Sequence, residues 1–158
     1  MKIIRKVIGT LLLITAMLIT QIPVVETGAT ASSDFQMDGN TLVKYIGKAS
    51  SVAIPDTVKT IGREAFAGNQ NLTSVKLGKN VKKIEQGAFQ DCSYLSEITL
   101  NDSLVEIGNG AFSNNSSLKK VHLTKNISEI GSGVFSGCKA LMTLTASVSP
   151  RPTISMLE

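Results

Sequence analysis

The sequence predicts a repeat solenoid, mainly β with short helical turns and with a β-hairpin cap at its N-terminal end. One observation is a 23-residue period that runs through four consecutive blocks without insertion or deletion. Another is that about seven apolar columns keep one register, so that each block buries its apolar face against its neighbours. The clearest columns each repeat one residue type: Phe66, Phe89, Phe112 and Phe135; Ile61, Ile84, Ile107 and Ile130; Leu72, Leu95, Leu118 and Leu141.

Residues 1–31 have the layout of a secretory signal peptide. A short basic region with Lys2, Arg5 and Lys6 precedes an apolar run from Val7 to Ile22. Ala29-Thr30-Ala31 is a small-x-small site, which predicts cleavage after Ala31. The apolar run has about 16 residues, fewer than the roughly 20 that span a bilayer. Cleavage is therefore favoured over an uncleaved membrane anchor.

Residues 32–51 are predicted to form the cap. Asp38-Gly39-Asn40 lies between alternating apolar and polar residues, which is a hairpin signal. A hairpin here would cover the edge and the apolar end of the first coil, because terminal repeats need such protection.

Residues 52–146 are predicted to contain four 23-residue repeats and the first strand of a fifth. In a typical block, Val75-Lys76-Leu77 alternates as a short strand, and Gly78-Lys79-Asn80 has the chemistry of a turn. Gly87-Ala88-Phe89 then suits one tight helical turn, with the ring filling the bend. Phe66, nearer the capped end, is expected to tolerate substitution better than Phe89.

Residues 147–158 are loop-like and offer no equivalent cap. Two interpretations stay open: the last coil is uncovered, or the chain is a piece of a longer array. The part after Ala31 has no second hydrophobic run, which predicts no stable membrane insertion after cleavage.

Charge gives no reason to expect a nucleic acid or an anionic membrane as partner. The net charge of the whole chain is +4, and it falls to +2 when the signal peptide takes away three basic residues and Glu26. The pI near 9.1 therefore overstates the basicity of the processed protein.

The two cysteines occupy one column of the repeat, two periods apart. Stacked coils are separated by about 4.8 Å, so the α-carbons of Cys92 and Cys138 are expected about 10 Å apart. A disulfide requires less than about 7 Å. Both are therefore predicted to be free thiols, although secretion alone would favour pairing.

The repeat closely resembles the BspA-like leucine-rich repeat surface proteins. Leu72–Cys92 and Leu118–Cys138 carry the pattern Leu-x-x-Val-x-Leu, several turn residues, and Ile-x-x-Gly-Ala-Phe-x-x-Cys or a close variant of it. The resemblance covers roughly residues 50–146. It implies a secreted or cell-surface protein that binds other proteins through its repeat surface, with adhesion to host matrix or plasma proteins as one outcome.

Catalytic, cofactor-binding and metal-binding residues are not predicted. His122 is the only histidine, so no histidine pair is available. The serines lie in turns, and no Gly-x-Ser-x-Gly elbow accompanies them.

The predicted protein-binding residues are the outward residues of the longer strands. Lys76, Thr99 and His122 share one column, flanked by Glu97 and Lys120. Three turn residues would form the rim of this surface: Lys79, Asp102 and Lys125. The rival surface on another side of the coil contains four polar residues: Arg63, Gln86, Asn109 and Ser132.

These observations predict a protein-binding module without enzymatic activity, most simply in adhesion or surface interaction. Two alternatives remain at this point. The repeats are a targeting module or fragment of a larger exported enzyme, or they are a structural spacer in a surface layer.

Overall fold

A computed structural model describes residues 32–147 of the chain. It is a β-solenoid of stacked coils, and the 23-residue period is confirmed. After a 3₁₀ helix at Ser32–Asp34, eleven strands follow in chain order: β1 (Phe35–Asp38), β2 (Thr41–Tyr45), β3 (Ser51–Ala53), β4 (Thr60–Ile61), β5 (Ser74–Lys76), β6 (Lys83–Ile84), β7 (Glu97–Thr99), β8 (Glu106–Ile107), β9 (Lys120–Leu123), β10 (Glu129–Ile130) and β11 (Thr143–Ala146).

Each coil contributes one strand to each of two sheets. The five-stranded sheet has the order β11-β9-β7-β5-β3, and the six-stranded sheet has the order β1-β2-β4-β6-β8-β10. All neighbours are parallel except β1 and β2. Partners such as Val52 with Val75 and Val75 with Ile98 keep the 23-residue offset. Equivalent side chains therefore stack directly above one another.

The core lies between the two sheets and contains the predicted columns. Phe66, Phe89, Phe112 and Phe135 are at most 2% exposed. Their rings stack in sequence, with centroid separations of 4.7, 5.4 and 5.7 Å. Leu100, Ile130, Leu141 and Leu144 are only partly buried at the edge of this core.

The third side of each coil consists of tight turns rather than the expected helical turns. In the first coil, the N–H groups of Ala65 and Ala67 donate to carbonyls three residues earlier, at Gly62 and Glu64. The N–H groups that alternate with them, those of Glu64, Phe66 and Gly68, donate to carbonyls of the next coil. Because every second amide bonds to the next coil, the i to i−4 pattern of an α-helix does not form.

Three of the four coils have a glycine two residues before the phenylalanine, and the backbone conformation explains this choice. Gly87, Gly110 and Gly133 have φ between 58° and 62°. This left-handed conformation costs a residue with a side chain about 1–2 kcal/mol. The first coil has Glu64 at this position, with φ of 54°.

The N-terminal hairpin cap is confirmed. β1 and β2 are antiparallel and are joined by a turn with Gly39 at φ 55°. β2 then pairs in parallel with β4, aligning Leu42 with Ile61. The hairpin therefore protects the first edge of the six-stranded sheet.

The predicted signal peptide in residues 1–31 and most of the predicted tail, residues 148–158, lie outside the described residues. Ser147 is described, and its N–H donates to the carbonyl of Leu123.

Candidate functional site

The structure brings the predicted central residues together on the outer face of the five-stranded sheet. Strand register aligns Lys76 with Thr99, and His122 with Thr145. Lys76, Thr99 and His122 are all exposed. They lie on β5, β7 and β9, which are consecutive strands of the sheet. We call this column and its two flanking residues, Glu97 and Lys120, the strand face.

The imidazole of His122 is held in place by two hydroxyl groups. Nδ1 lies 2.8 Å from Oγ1 of Thr145, and Nε2 lies 2.7 Å from Oγ of Ser147. A catalytic histidine of the Ser-His-Asp type has a carboxylate on the nitrogen opposite the serine, whereas this one has a threonine hydroxyl. The two contacts fix the orientation of the ring, and within residues 32–147 neither ring nitrogen bonds to a carboxylate.

Glu97 and Lys120 lie side by side on β7 and β9 as register partners. Together with Ser96 and Lys119 they line a shallow hollow of about 440 Å³. Within residues 32–147 they form no ion pair with each other. Both charges remain available to a ligand.

A second hollow, of about 490 Å³, joins the strand face to its rim. Lys76 and Thr99 line it together with Lys79 and Asp102. Lys125, the third predicted rim residue, is exposed but is absent from the lining of this hollow.

Asp56 is a rim residue that sequence reasoning missed. Its carboxylate lies 2.9 Å from the ammonium of Lys79 and also accepts the Lys79 backbone N–H at 2.8 Å. The hydrogen bond from the Lys79 side chain is the main reason that the pKa of Asp56 is lowered. The sequence contains a signal for this pair, because Asp56 and Lys79 are one 23-residue period apart and therefore lie in neighbouring coils.

The rival residues line a groove on the other side, beside the six-stranded sheet. It has a volume of about 650 Å³, and its lining includes Arg63, Gln86 and Asn109. Two of these side chains bond to each other, because the Arg63 guanidinium donates to Gln86 Oε1 at 2.8 Å. Asn109 Oδ1 accepts the N–H of Ser132 at 2.9 Å. These polar groups therefore already connect neighbouring coils.

The same groove contains an ion pair between Lys83 and Glu106. Their charged groups are 2.9 Å apart. Hydrogen bonding to Glu106 raises the pKa of Lys83, and the nearby carboxylates of Glu85 and Glu129 raise it further. Three carboxylates therefore act on one ammonium at this end of the groove.

Cys92 and Cys138 are free thiols, as predicted. Each S–H donates, at 3.1 Å, to the carbonyl of the phenylalanine in the preceding coil, Phe66 or Phe112. Asn115 of the same column makes the equivalent bond to Phe89 through Nδ2. Burial raises the pKa of Cys92 to about 11 and also raises that of Cys138. Both thiols are thus in a poor setting for nucleophilic chemistry.

Residues 32–147 contain no group of three or more His, Cys, Asp or Glu side chains that could hold a metal ion. Over the same stretch, no helix has the length and apolar character to cross a membrane.

A protein-family model described as the BspA type leucine rich repeat region matches residues 39–151 with six copies. Among solved structures, the pneumococcal vaccine antigen PcpA is 32% identical over 71% of this chain and 28% of its own, with a TM-score of 0.67. A leucine-rich repeat protein of T. pallidum is 25% identical over 75% of this chain and 83% of its own, with a TM-score of 0.57.

A leucine-rich cell surface protein of Faecalibacterium prausnitzii shares the fold at 24% identity, with a TM-score of 0.53 over 73% of this chain and 38% of its own. The chain thus spans well under half the length of two of these three relatives. No curated protein sequence matches it significantly.

Proposed function

Because this chain belongs to the BspA-type leucine-rich repeat family, we propose that it is a secreted or cell-surface protein that binds other proteins and catalyses no reaction. Solenoids of this kind expose long regular surfaces that suit protein partners. The solved relatives include a bacterial vaccine antigen and a bacterial cell surface protein, which supports a location outside the cell.

We place the contact surface on the strand face. The observation that carries this assignment is the line of Lys76, Thr99 and His122 across three hydrogen-bonded strands, with a hollow on either side. A sheet held in this way loses little conformational freedom on binding, so more of the contact energy is available for affinity.

The chemistry of the strand face favours a polar partner. Its side chains are ammonium, hydroxyl, imidazole and carboxylate groups, and it contains no Phe, Tyr or Trp. Glu97 and Lys120 present opposite charges about one strand spacing apart. A protein segment with an acidic and a basic side chain at matching spacing would complement this pair. Charges of this kind contribute to specificity and association rate more than to affinity.

The experiment compares three forms of the chain beginning at Ser32 for binding to immobilised matrix and plasma proteins. The first is unchanged, and the second carries Lys76→Ala, Thr99→Ala and His122→Ala. The third carries Arg63→Ala and Gln86→Ala on the rival surface, and it loses the same single positive charge.

We expect the strand-face variant to lose binding at least tenfold, while the rival variant binds like the parent. The reverse result would move the contact surface to the groove side. Absence of binding to every protein tested, with the fold intact by circular dichroism, would contradict adhesion to matrix and plasma proteins and favour a spacer role.

A further inference from the structure

The outer face of the six-stranded sheet carries opposite charges at its two ends. Glu85 on this side already accepts the N–H of Arg63, and we call five other charged residues the dipolar face: Lys59, Lys82, Lys83, Glu106 and Glu129. The lysines belong to the coils of β4 and β6, and the glutamates lie on β8 and β10. Positive charge therefore gives way to negative charge along the axis of the solenoid.

The end charges of this face form no hydrogen bond or ion pair within the described chain, and the Glu129 carboxylate acts on the Lys83 ammonium only from beyond ion-pair distance. Lys83 and Glu106 pair with each other at the centre. The ammonium groups of Lys59 and Lys82 and the carboxylate of Glu129 have no hydrogen bond or ion pair within residues 32–147. All three residues are exposed. The free basic charge and the free acidic charge are thus at opposite ends.

If a second copy is turned end to end, its acidic end faces the basic end of the first copy, so the two faces are complementary in charge. We propose that two copies of this chain associate through the dipolar face, antiparallel, about a two-fold axis that runs parallel to the strands between β6 and β8. A two-fold contact uses the same patch on both subunits, so each pairing occurs twice. This surface is separate from the strand face, and the inference goes beyond the proposed function.

The regular spacing of the coils allows several charge pairs to form between the two copies at once. The axis places β4 of one copy opposite β10 of the other, and β6 opposite β8. Lys59 then lies beside Glu129 of the second copy, and Lys83 lies opposite Glu106 of the second copy. Along the solenoid axis, the strands that pair are separated by whole numbers of the same coil rise, about 4.8 Å. Both pairings can therefore form in one arrangement of the two copies.

Val105 supports this arrangement because it is an exposed apolar residue on a charged face. It is 40% exposed and occupies the column of Lys59 and Lys82. The two-fold axis places it opposite Lys82 of the second copy, whose aliphatic stem offers an apolar surface. The face extends over only four strands, so we expect a weak dimer that salt weakens further.

The test uses the chain beginning at Ser32, which contains the whole described fold, and measures sedimentation velocity over a range of concentrations at low and high salt. We expect a monomer–dimer equilibrium that shifts toward monomer as salt rises. Lys59→Glu and Glu129→Lys should each weaken the dimer about tenfold or more, because each places like charges together. Neither side chain forms a hydrogen bond or an ion pair within residues 32–147, so both variants should keep the fold of the parent.

Mixing the two variants provides the decisive measurement. In the mixed dimer every introduced charge meets an opposite charge, so association should return to the level of the parent. Lys76→Glu is the control: it changes the net charge by the same amount on the other sheet and should leave association unchanged.

A parent protein that is monomeric throughout the range, a mixture no stronger than its separate components, or an equal effect of Lys76→Glu would each overturn the proposal.

Discussion

The ring of Tyr45 stacks on the ring of Phe66, with centroids 5.0 Å apart and planes inclined by 24°. The hairpin thus supplies the next ring of the phenylalanine stack, and Phe35 adds a further ring at 5.4 Å from Tyr45. Tyr45 also accepts the N–H of Ala49 at its hydroxyl. The cap closes the core by continuing its aromatic column.

We expect Phe89→Ala to lower the free energy of unfolding by about 3–5 kcal/mol, because it leaves a cavity between two stacked rings. Urea denaturation followed by circular dichroism measures the change. The structure removes the reason for expecting Phe66 to be more tolerant, since Phe66 is 1% exposed and lies between Tyr45 and Phe89. Phe66→Ala should cost a similar amount, and a variant that unfolds like the parent would contradict the ring stack.

Glu64→Gly should stabilise the protein by about 0.5–1 kcal/mol. Glu64 is exposed and adopts φ of 54°, where the other coils have glycine. Glycine removes a strain of about 1–2 kcal/mol, although it gains chain entropy in the unfolded state. Arg63→Gly is the control, because Arg63 is not among the residues with positive φ, and it should destabilise. The midpoint of urea unfolding distinguishes the two, and a lowered midpoint for Glu64→Gly would contradict the conformational argument.

Stability should fall as the pH rises from about 9 to about 11. The Cys92 thiol has its pKa raised from 9.0 to about 11 in the folded state, so the unfolded chain loses this proton first. The contribution of the protonated thiol to the free energy of unfolding is fully present below pH 9 and is lost as the pH approaches the pKa of the folded state. Each unit of difference between the folded and unfolded pKa corresponds to about 1.4 kcal/mol, so the loss has an upper limit near 2–3 kcal/mol.

Cys92→Asn should reduce this alkaline loss, because asparagine does not titrate. The Asn115 amide already makes the equivalent hydrogen bond in the next coil. At neutral pH Cys92→Asn should lose some stability, because Oδ1 of the equivalent Asn115 is buried without a hydrogen-bond partner within residues 32–147. Cys92→Ala, which loses the hydrogen bond to the Phe66 carbonyl, should be less stable still. Urea titrations of the three proteins at pH 8 and pH 11 test this, and identical alkaline losses in parent and Cys92→Asn would exclude Cys92 as the cause.

The two thiols should remain free in the exported protein under non-oxidising handling. Cys92 and Cys138 lie in one column, two coils apart, which is too far for a disulfide. Intact-mass spectrometry without reduction should show no loss of two protons. A native internal bridge would contradict the coil register.

Export should remove residues 1–31. The basic start, the apolar run and the Ala-x-Ala site predict a mature chain that begins at Ser32. Sequencing the N-terminus of the exported protein tests the position directly. A chain that keeps Met1 would support the alternative of a membrane anchor.

Sequence arithmetic predicted most of the core, because columns such as Phe66 to Phe135 repeat without insertion. The cap could not be aligned in the same way. Leu42 pairs with Ile61 at a spacing of 19 residues, and Tyr45 stacks on Phe66 at a spacing of 21. Neither distance is the repeat period, because the connection from β2 to β3 is shorter than the equivalent connection from β4 to β5.

The strand face was predictable as geometry, since alternation along β5, β7 and β9 determines which side chains point outward. The turns were not predictable in the same way. A segment such as Gly87-Ala88-Phe89 is compatible with a helical turn by its own residues. Its structure depends on amides that donate to the next coil, at Asn109 and Ala111. The conformation of the turn is therefore determined by hydrogen bonds between coils and not by the residues of the segment alone.

The turn-side N–H groups that bond between coils all donate in the same direction along the solenoid, and their pattern repeats every 23 residues. On the turn side, every connecting N–H donates to the coil that follows, as from Phe66 to Ala88 and from Phe89 to Ala111. Removing or duplicating one 23-residue unit would reconnect each donor with an equivalent acceptor. A gain or loss of one or two residues would misalign every such bond at that junction. Genes for this fold can therefore lengthen or shorten by whole repeats through recombination, while the aromatic column and both sheets remain continuous.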